Sequence, residues 1–169
     1  MPVVHAVEGA DLVLERLDGP TMSTALETGQ LDVPSAAVML ADLHASLHAL
    51  PARPGCDPQD RVLHLDLHPD NVMLEARGPV VIDWCNSSDG PADLDIAMTA
   101  LILAQVAADD ADARAPLAHA LMRDFLVHVD GNPLRLLAEV VTRREADANI
   151  TAAERGRLTR AAALVREQG

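Results

Sequence analysis

Two short segments carry side chains whose types and spacing could support chemistry. Residues 64–74 read H-L-D-L-H-P-D-N-V-M-L and place Asp66 and Asn71 on one tight loop, while residues 80–84 read V-V-I-D-W and end an apolar strand at Asp83. Phosphoryl transfer needs a carboxylate to accept a hydroxyl proton, together with an amide oxygen and a second carboxylate to hold magnesium. Three oxygen ligands without a cysteine suit a hard ion such as Mg²⁺. The spacing therefore predicts Asp66 as the base, with Asn71 and Asp83 as magnesium ligands.

The same segment also allows a different interpretation. If residues 64–68 formed an alternating strand, His64, Asp66 and His68 would share one face and could hold the metal of an H-x-D-x-H hydrolase. Pro69 follows at once, and Asp70 with Asn71 favours a turn, so a loop is the preferred prediction. The metallo-hydrolase is the third hypothesis for function, after a phosphotransferase and a binding module.

Composition limits the partners of the chain. The net charge is −13, and an acidic surface argues against nucleic acid and anionic membranes. It is compatible with a cationic substrate, although solvated surface residues explain it equally well. No signal peptide is visible at the N-terminus, and the longest apolar run, residues 96–108, is too short to span a bilayer. We expect a cytoplasmic protein.

Periodicity predicts a mainly α fold with a small β hairpin, of the α+β class. The hairpin is expected from residues 72–75 and 79–82, with an irregular segment over residues 86–91. A short strand is expected near residues 11–14 and a short helix near residues 24–29. Longer helices are predicted at residues 34–50, 92–108, 111–129, 133–147 and 151–168.

At the two segments the chain resembles the aminoglycoside phosphotransferase family, a branch of the protein-kinase-like fold. His64, Asp66 and Asn71 match H-x-D-x-x-x-x-N, and residues 82–84 match the I-D-W step that follows. The resemblance implies Asp66 as catalytic base and Asn71 and Asp83 as Mg²⁺ ligands. It also implies ATP as phosphate donor, with GTP as the alternative. The acceptor would be a small-molecule hydroxyl on an antibiotic, a sugar or an amino alcohol.

Further residues match the family outside the two segments. Residues 90–97, G-P-A-D-L-D-I-A, are similar to a family motif whose final acidic position is Asp95 here. We interpret Asp95 as structural support for the backbone of the catalytic loop and expect Asp93 to be exposed. The resemblance implies that His64 packs beneath the loop and that His44 lies in the core beside it.

The N-terminal part resembles the family's hinge, the linker whose backbone binds adenine. On this basis Glu15 and Leu17 contribute main-chain atoms to the nucleotide site. Residues 1–20 would be a residual hinge strand and linker, and residues 21–169 a kinase-like C-terminal lobe with the catalytic loop and a helical acceptor region. The resemblance covers the hinge and this lobe, with the N-terminal lobe absent.

The family's phosphate-binding groups are not found in the chain. All 13 basic residues are arginines, so no lysine can hold the nucleotide phosphates, and no glycine-rich loop precedes the hinge. We expect a truncated phosphotransferase with weak or no activity. A natural half that binds another chain and a non-catalytic, pseudo-kinase-like binding module are the alternatives. Residues 12–14 would expose an unpaired apolar strand edge, which predicts self-association.

Overall fold

Helices dominate the architecture, as predicted from the sequence. We describe a computed structural model that covers residues 1–168, so the last residue of the predicted unit 21–169 lies outside the described part. Within it, the strands and helices are, in chain order, β1 (Val4–Glu8), β2 (Asp11–Leu14), α1 (Met22–Glu27), α2 (Val33–His48), β3 (Arg61–Leu63), β4 (Val72–Glu75), β5 (Gly78–Val81), β6 (Ser88–Gly90), α3 (Ala92–Ala107), α4 (Ala115–His128), α5 (Leu137–Ala146) and α6 (Ala152–Gln168). The strands form three antiparallel pairs, β1–β2, β3–β6 and β4–β5. The α+β class is confirmed.

Helix α3 is the centre of the core. Every residue from Leu94 to Gln105 is buried, and α4, α5 and α6 all pack against this helix. Its alanines and aliphatic residues leave no polar face, as expected of a helix surrounded by protein. The buried polar side chains of α3 are Asp95, Thr99 and Gln105. Each needs a hydrogen-bonding partner within the fold or in a cavity.

Helix α2 follows its predicted span closely. The Asp32 carboxylate accepts the Ser35 N–H at 2.7 Å and caps the helix start, with Pro34 in the first turn. His44 lies in the core, where its Nδ1 is 2.8 Å from the Leu40 carbonyl oxygen and its Nε2 is 3.0 Å from Thr99 Oγ1. Burial lowers the pKa of His44, although the nearby Asp95 opposes this. His44 thus joins α2 to the buried face of α3.

The β4–β5 hairpin has the predicted position. Val72 pairs with Val81 and Glu75 with Gly78, whose φ of +112° suits the turn. The β3–β6 pair was not predicted: Arg61 pairs with Gly90 and Leu63 with Ser88. The segment over residues 86–91 was therefore wrongly predicted to be irregular throughout. Its short strand depends on pairing with a partner 25 or more residues earlier in the chain, which local sequence does not reveal.

The N-terminal strand has a partner that the sequence reading missed. We predicted that β2 would be unpaired within this chain, but β1 pairs with it through a turn at Gly9, where φ is +65°. Only one edge of each strand is therefore open. The ribbon remains apolar and exposed, with Val7 65% and Leu12 59% accessible. Because a two-stranded ribbon alone is marginally stable in water, further contacts would stabilise it.

We expect the chain to associate with a second copy through this ribbon. Open edges with exposed apolar residues pair readily, and a lysine on such an edge opposes pairing. A Val13→Lys variant should therefore shift the molar mass measured by light scattering towards that of a monomer, relative to the wild type. Val127→Lys, at an exposed valine on α4, is the matched control. A wild-type chain that stays monomeric at high concentration would refute the expectation.

Candidate active site

The loop predicted to be catalytic, residues 64–71, begins with a strained backbone conformation that a carboxylate distant in sequence stabilises. Leu65 lies two residues after the end of β3 and adopts the left-handed region with φ of +61°, which few non-glycine residues do. Its N–H donates to Asp95 Oδ1 at 2.7 Å, and the His64 N–H donates to Asp95 Oδ2 at 3.2 Å. Asp95 lies in the first turn of α3 and is fully buried. The start of α3 therefore fixes the entry to the loop.

His48 is a further partner of this carboxylate, and the sequence reading missed it. Its Nε2 lies 3.0 Å from Asp95 Oδ2 at the end of α2. Burial by itself would raise the pKa of Asp95. The bond to His48, the nearby His44 and the Leu65 N–H outweigh it, so the pKa lies below its ordinary value. The signal in the sequence was the spacing of His44 and His48, four residues apart and so on one face of α2.

Asp66 and Asn71 are held together within the loop. Asn71 Nδ2 donates to the Asp66 backbone oxygen at 2.9 Å and approaches Asp66 Oδ2 at 3.4 Å, so the amide oxygen of Asn71 points elsewhere. The Asp66 side chain is 19% exposed, which leaves part of it accessible to solvent. The ring of His68 lies 3.8 Å from Asp66 Oδ1, and burial lowers the His68 pKa although Asp66 and Asp70 oppose this.

The β4–β5 hairpin brings Asp83 towards Asn71. The Ile82 N–H donates to the Asn71 backbone oxygen at 3.0 Å and continues the hairpin by one step. Asp83 comes next in the chain. Its backbone adopts the left-handed region with φ of +57°, and the residue is exposed. The negative charge of Asp83 raises the pKa of the nearby Cys85 thiol. The backbone of Asn71 thus lies beside that of Ile82, the residue before Asp83.

His64 fills the space between the loop and the hairpin. It is fully buried, its Nε2 lies 3.0 Å from the Ile82 carbonyl oxygen, and its ring centre is 4.7 Å from that of Trp84. Trp84 in turn donates its indole N–H to the Val81 carbonyl at 3.1 Å. His64 therefore packs between the loop and the hairpin.

The predicted hinge residues lie at the β4–β5 turn. The Glu15 side chain receives two hydrogen bonds from Arg77, at 2.5 and 2.7 Å, and these bonds are the main reason that its pKa is lowered. The Glu15 N–H donates to the Val3 carbonyl, so this main-chain donor is already used. For Leu17 the structure shows no hydrogen bond to any other described residue. The roles of both residues in nucleotide binding stay predictions.

Asp93 was expected to be exposed, and this was wrong. Its carboxylate accepts the Asn132 N–H at 3.0 Å and the Arg135 Nε–H at 2.6 Å, which leaves the side chain 14% exposed. Arg135 belongs to a short 3-10 turn before α5, so Asp93 fastens the α4–α5 connection to α3. The missing information was the position of a residue 42 places away in sequence.

The metal triad of the hydrolase hypothesis does not form. Strand β3 ends at Leu63, so His64 and Asp66 do not alternate along a strand, and His64 Nε2 is turned to the Ile82 carbonyl. In the described part of the chain, no group of three or more His, Cys, Asp or Glu side chains is placed to hold a metal ion. Asn71 and Asp83 still fit Mg²⁺, because this ion commonly takes one or two protein oxygens and completes its shell with phosphate and water.

A family model described as "Phosphotransferase enzyme family" matches residues 4–137. The chain belongs to the phosphotransferase enzyme family. The sequence-based resemblance to aminoglycoside phosphotransferases is thereby confirmed. The matched range begins at β1, contains the catalytic loop, Asp83 and Asp95, and ends at the first residue of α5. No curated protein and no solved structure gave a significant match. No helix among residues 1–168 is long and apolar enough to cross a bilayer.

Proposed function

We propose that the chain supports phosphate transfer from ATP, or alternatively GTP, to a hydroxyl group of a small molecule. The observation that carries this proposal is the junction of the catalytic loop with the β4–β5 hairpin. There, the side-chain amide nitrogen of Asn71 donates to the Asp66 backbone oxygen. The Asn71 backbone oxygen accepts from the N–H of Ile82, the residue before Asp83. We assign to these residues the proton acceptor and the two hard oxygen ligands that phosphoryl transfer requires. Family membership supports the same class of reaction.

Each residue has a definite task in this proposal. Asp66 accepts the proton of the acceptor hydroxyl, and Asn71 Nδ2 holds the Asp66 carboxylate in position. The Asn71 amide oxygen and the Asp83 carboxylate would hold Mg²⁺, which, when bound, neutralises charge on the transferred phosphate. Asp95 and His64 act through the loop, because they fix its backbone and its underside. Residues 21–168 would serve as the kinase-like C-terminal lobe.

Nucleotide phosphates have no lysine partner among the 169 residues. Phosphotransferases of the kinase-like type use a lysine to position the α- and β-phosphates. We therefore propose that Mg-nucleotide binds weakly and that turnover by this chain is weak or absent. The alternative is a pseudo-kinase-like module that binds nucleotide in the same cleft without transfer. The absence of lysine from the sequence is the observation that supports this alternative.

Calorimetric titration with Mg-ATP tests the proposed metal site. We expect Asp83→Ala to weaken Mg-ATP binding about tenfold or more, because one charged contact is worth on the order of 1.5–3 kcal/mol. Asp66→Asn should leave nucleotide binding intact, since Asp66 faces the acceptor in this proposal. Asp110→Ala, at a mostly exposed aspartate paired with Arg160, is the control. If Asp83→Ala and the wild type bound Mg-ATP with equal affinity, the assignment of Asp83 as a magnesium ligand would be refuted. Stoichiometric zinc in the purified protein would instead support the metallo-hydrolase hypothesis.

Turnover separates the phosphotransferase from the binding module. Nucleotide consumption by the wild type should be at or near the detection limit with any acceptor. If a phosphorylated product appears, it should vanish in Asp66→Ala, because no other carboxylate in the loop is held against Asn71 in the same way. Robust turnover by the wild type would contradict the expectation of a weak enzyme, and its loss in Asp66→Ala would support the catalytic assignment of Asp66.

A further inference from the structure

Two polar contacts join α2 to α3 behind the loop. His48 Nε2 lies 3.0 Å from Asp95 Oδ2, and His44 Nε2 lies 3.0 Å from Thr99 Oγ1. Within each helix the two residues are four positions apart, so each pair lies on one face of its helix. The His48 side chain is 10% exposed, and the other three residues are at most 1% exposed. These four side chains therefore form a polar layer inside an apolar core.

The polar layer binds the backbone on both sides of Asp66. Asp95 accepts the Leu65 N–H at 2.7 Å, directly before Asp66 in the chain. The Thr99 hydroxyl donates to the Leu67 carbonyl oxygen at 2.8 Å, directly after it. Leu67 is fully buried, so no water can replace the hydroxyl as a donor to this oxygen. Helix α3 thus orients the peptide groups next to the proposed base.

The contacts of Thr99 and His44 need more protons than a neutral histidine supplies. A carbonyl oxygen only accepts, so the bond to the Leu67 oxygen uses the Thr99 hydroxyl proton. By the same rule, the Leu40 oxygen, 2.8 Å from His44 Nδ1, needs a proton on that nitrogen. Thr99 Oγ1 is then an acceptor, and His44 Nε2 must also carry a proton. Only the doubly protonated ring satisfies all three contacts at once.

A neutral His44 leaves the Thr99 hydroxyl with two competing acceptors. When the ring proton is on Nδ1, the bare Nε2 and the Leu67 oxygen both lie within reach of the single hydroxyl proton. From α4 the ring meets only the uncharged Phe125, at 5.2 Å between ring centres. The groups that carry charge around this ring are Asp95, His48 and His64, together with four that line the adjoining cavity, Asp42, Arg61, His128 and Asp130. Their balance sets the pH at which the ring takes up its second proton.

We propose that Thr99 is a positioning residue for Asp66, and that protonation of His44 directs the Thr99 hydroxyl to the loop. This inference rests on the proposed function, because only there is Asp66 the base. When Nε2 takes up a proton from solvent, it donates to Thr99, and the hydroxyl donates to the Leu67 oxygen alone. When the ring is neutral, the hydroxyl turns towards Nε2 and the Leu67 peptide group is less firmly oriented. The loop is therefore more firmly oriented below the pKa of His44 than above it.

Nuclear magnetic resonance of the ¹³C,¹⁵N-labelled chain, without nucleotide, tests this at both ends. The ring ¹⁵N shifts of His44 report which nitrogen is protonated, and the carbonyl ¹³C shift of Leu67 reports whether its oxygen accepts a hydrogen bond. As the pH falls, Nε2 should gain its proton while the Leu67 carbon moves to higher frequency with the same midpoint. The proposal is overturned if Nε2 does not change its protonation before the chain unfolds, or if the Leu67 carbon does not follow it.

Variants of Thr99 separate this effect from the titration of the neighbouring Asp66 and His68. Thr99→Val keeps the shape but lacks the hydroxyl, so the Leu67 carbon should no longer follow His44. Thr99→Ser restores the hydroxyl and should restore the response. A response that persists in the valine variant would come from Asp66 or His68, and one that stays lost in the serine variant would reflect repacking. Either result would refute the proposal.

A further variant and a control complete the design. His44→Leu removes the competing acceptor, so the Leu67 carbon should have its acid-form shift already at neutral pH. Thr142→Val, at an exposed threonine whose hydroxyl donates within α5, should behave as the wild type does. Circular dichroism confirms that each variant is folded, and the wild-type titration decides by itself where one is not. Since no nucleotide is present, the Mg-ATP titration of Asp83→Ala judges the proposed function separately.

Discussion

An Asp95→Asn chain should unfold with a free energy about 3 kcal/mol below that of the wild type at neutral pH. Both carboxylate oxygens of Asp95 accept hydrogen bonds in a fully buried place, one from Leu65 and the other from His64 and His48. An asparagine has the same shape but only one acceptor oxygen. Its NH₂ group would face an N–H donor, so at least one buried group would lose its partner. Urea denaturation followed by circular dichroism measures the difference.

The pH dependence gives a second test of the same substitution. The pKa of Asp95 is lower in the folded chain than its ordinary value near 3.8. An acid with a lowered native pKa contributes stability above its unfolded pKa and loses it as the pH falls through its native pKa. The difference between wild type and Asp95→Asn should therefore be complete at pH 6–7 and shrink below about pH 4.

Asp110→Asn provides the control for both measurements, because its partner Arg160 and its own carboxylate are largely in solvent. We expect an unchanged urea midpoint at neutral pH, as surface ion pairs contribute little. If the urea midpoint of Asp95→Asn at pH 7 equalled that of the wild type, Asp95 would not stabilise the loop.

A Gly19→Ala substitution should destabilise the chain by about 3 kcal/mol, or detach residues 18–20 from the hairpin. A Cβ at this position would lie 2.0 Å from the Leu74 carbonyl oxygen and 2.7 Å from its carbon. Backbone atoms of β4 cannot move aside as a flexible side chain can. The contact is close because Glu75 Oε1 accepts the Asp18 and Gly19 N–H groups at 2.9 and 2.8 Å, and the Leu74 N–H donates to Pro20.

Gly156→Ala is the matched control, with an effect of the opposite sign. Gly156 lies within α6, and a Cβ added there would meet no neighbouring atom within 4 Å. Alanine is favoured over glycine inside a helix by roughly 0.5–1 kcal/mol, so this variant should be more stable than the wild type. Thermal unfolding of the two variants side by side measures both effects. A neutral Gly19→Ala would show that residues 18–20 are not packed on β4 in solution.

Sequence reasoning succeeded where the information was local. Spacing within residues 64–71 predicted a loop, because Pro69, Asp70 and Asn71 favour a turn whatever surrounds them. Apolar periodicity and capping residues predicted α2 and α3 to within a few residues. Helix α4 begins at Ala115, with Pro116 in its first turn, and not at residue 111 as predicted. The β4–β5 hairpin was also predictable, since Gly78 marks its turn.

The sequence-based predictions were wrong or incomplete where a feature depends on contacts between residues far apart in the chain. His48 meets Asp95 over 47 positions, and Glu75 meets Asp18 over 57. Neither residue type indicates its partner, because a histidine or a glutamate alone is usually a solvated side chain. The roles of Asp66, Asn71 and Asp83 stay predictions, which the titrations above test.

The bond from Asp95 to Leu65 also bears on the order in which the chain acquires its structure. The left-handed backbone conformation is unfavourable for a leucine such as Leu65. The hydrogen-bond acceptor that offsets this cost is Asp95, 30 residues later in helix α3. During synthesis the loop therefore gains its native shape only after α3 has emerged and docked. Conversely, local opening of α3 releases the loop while distant helices are still formed. Amide exchange at Leu65 should then report the opening of α3, which makes this single N–H a probe of cooperativity between the core and the active site.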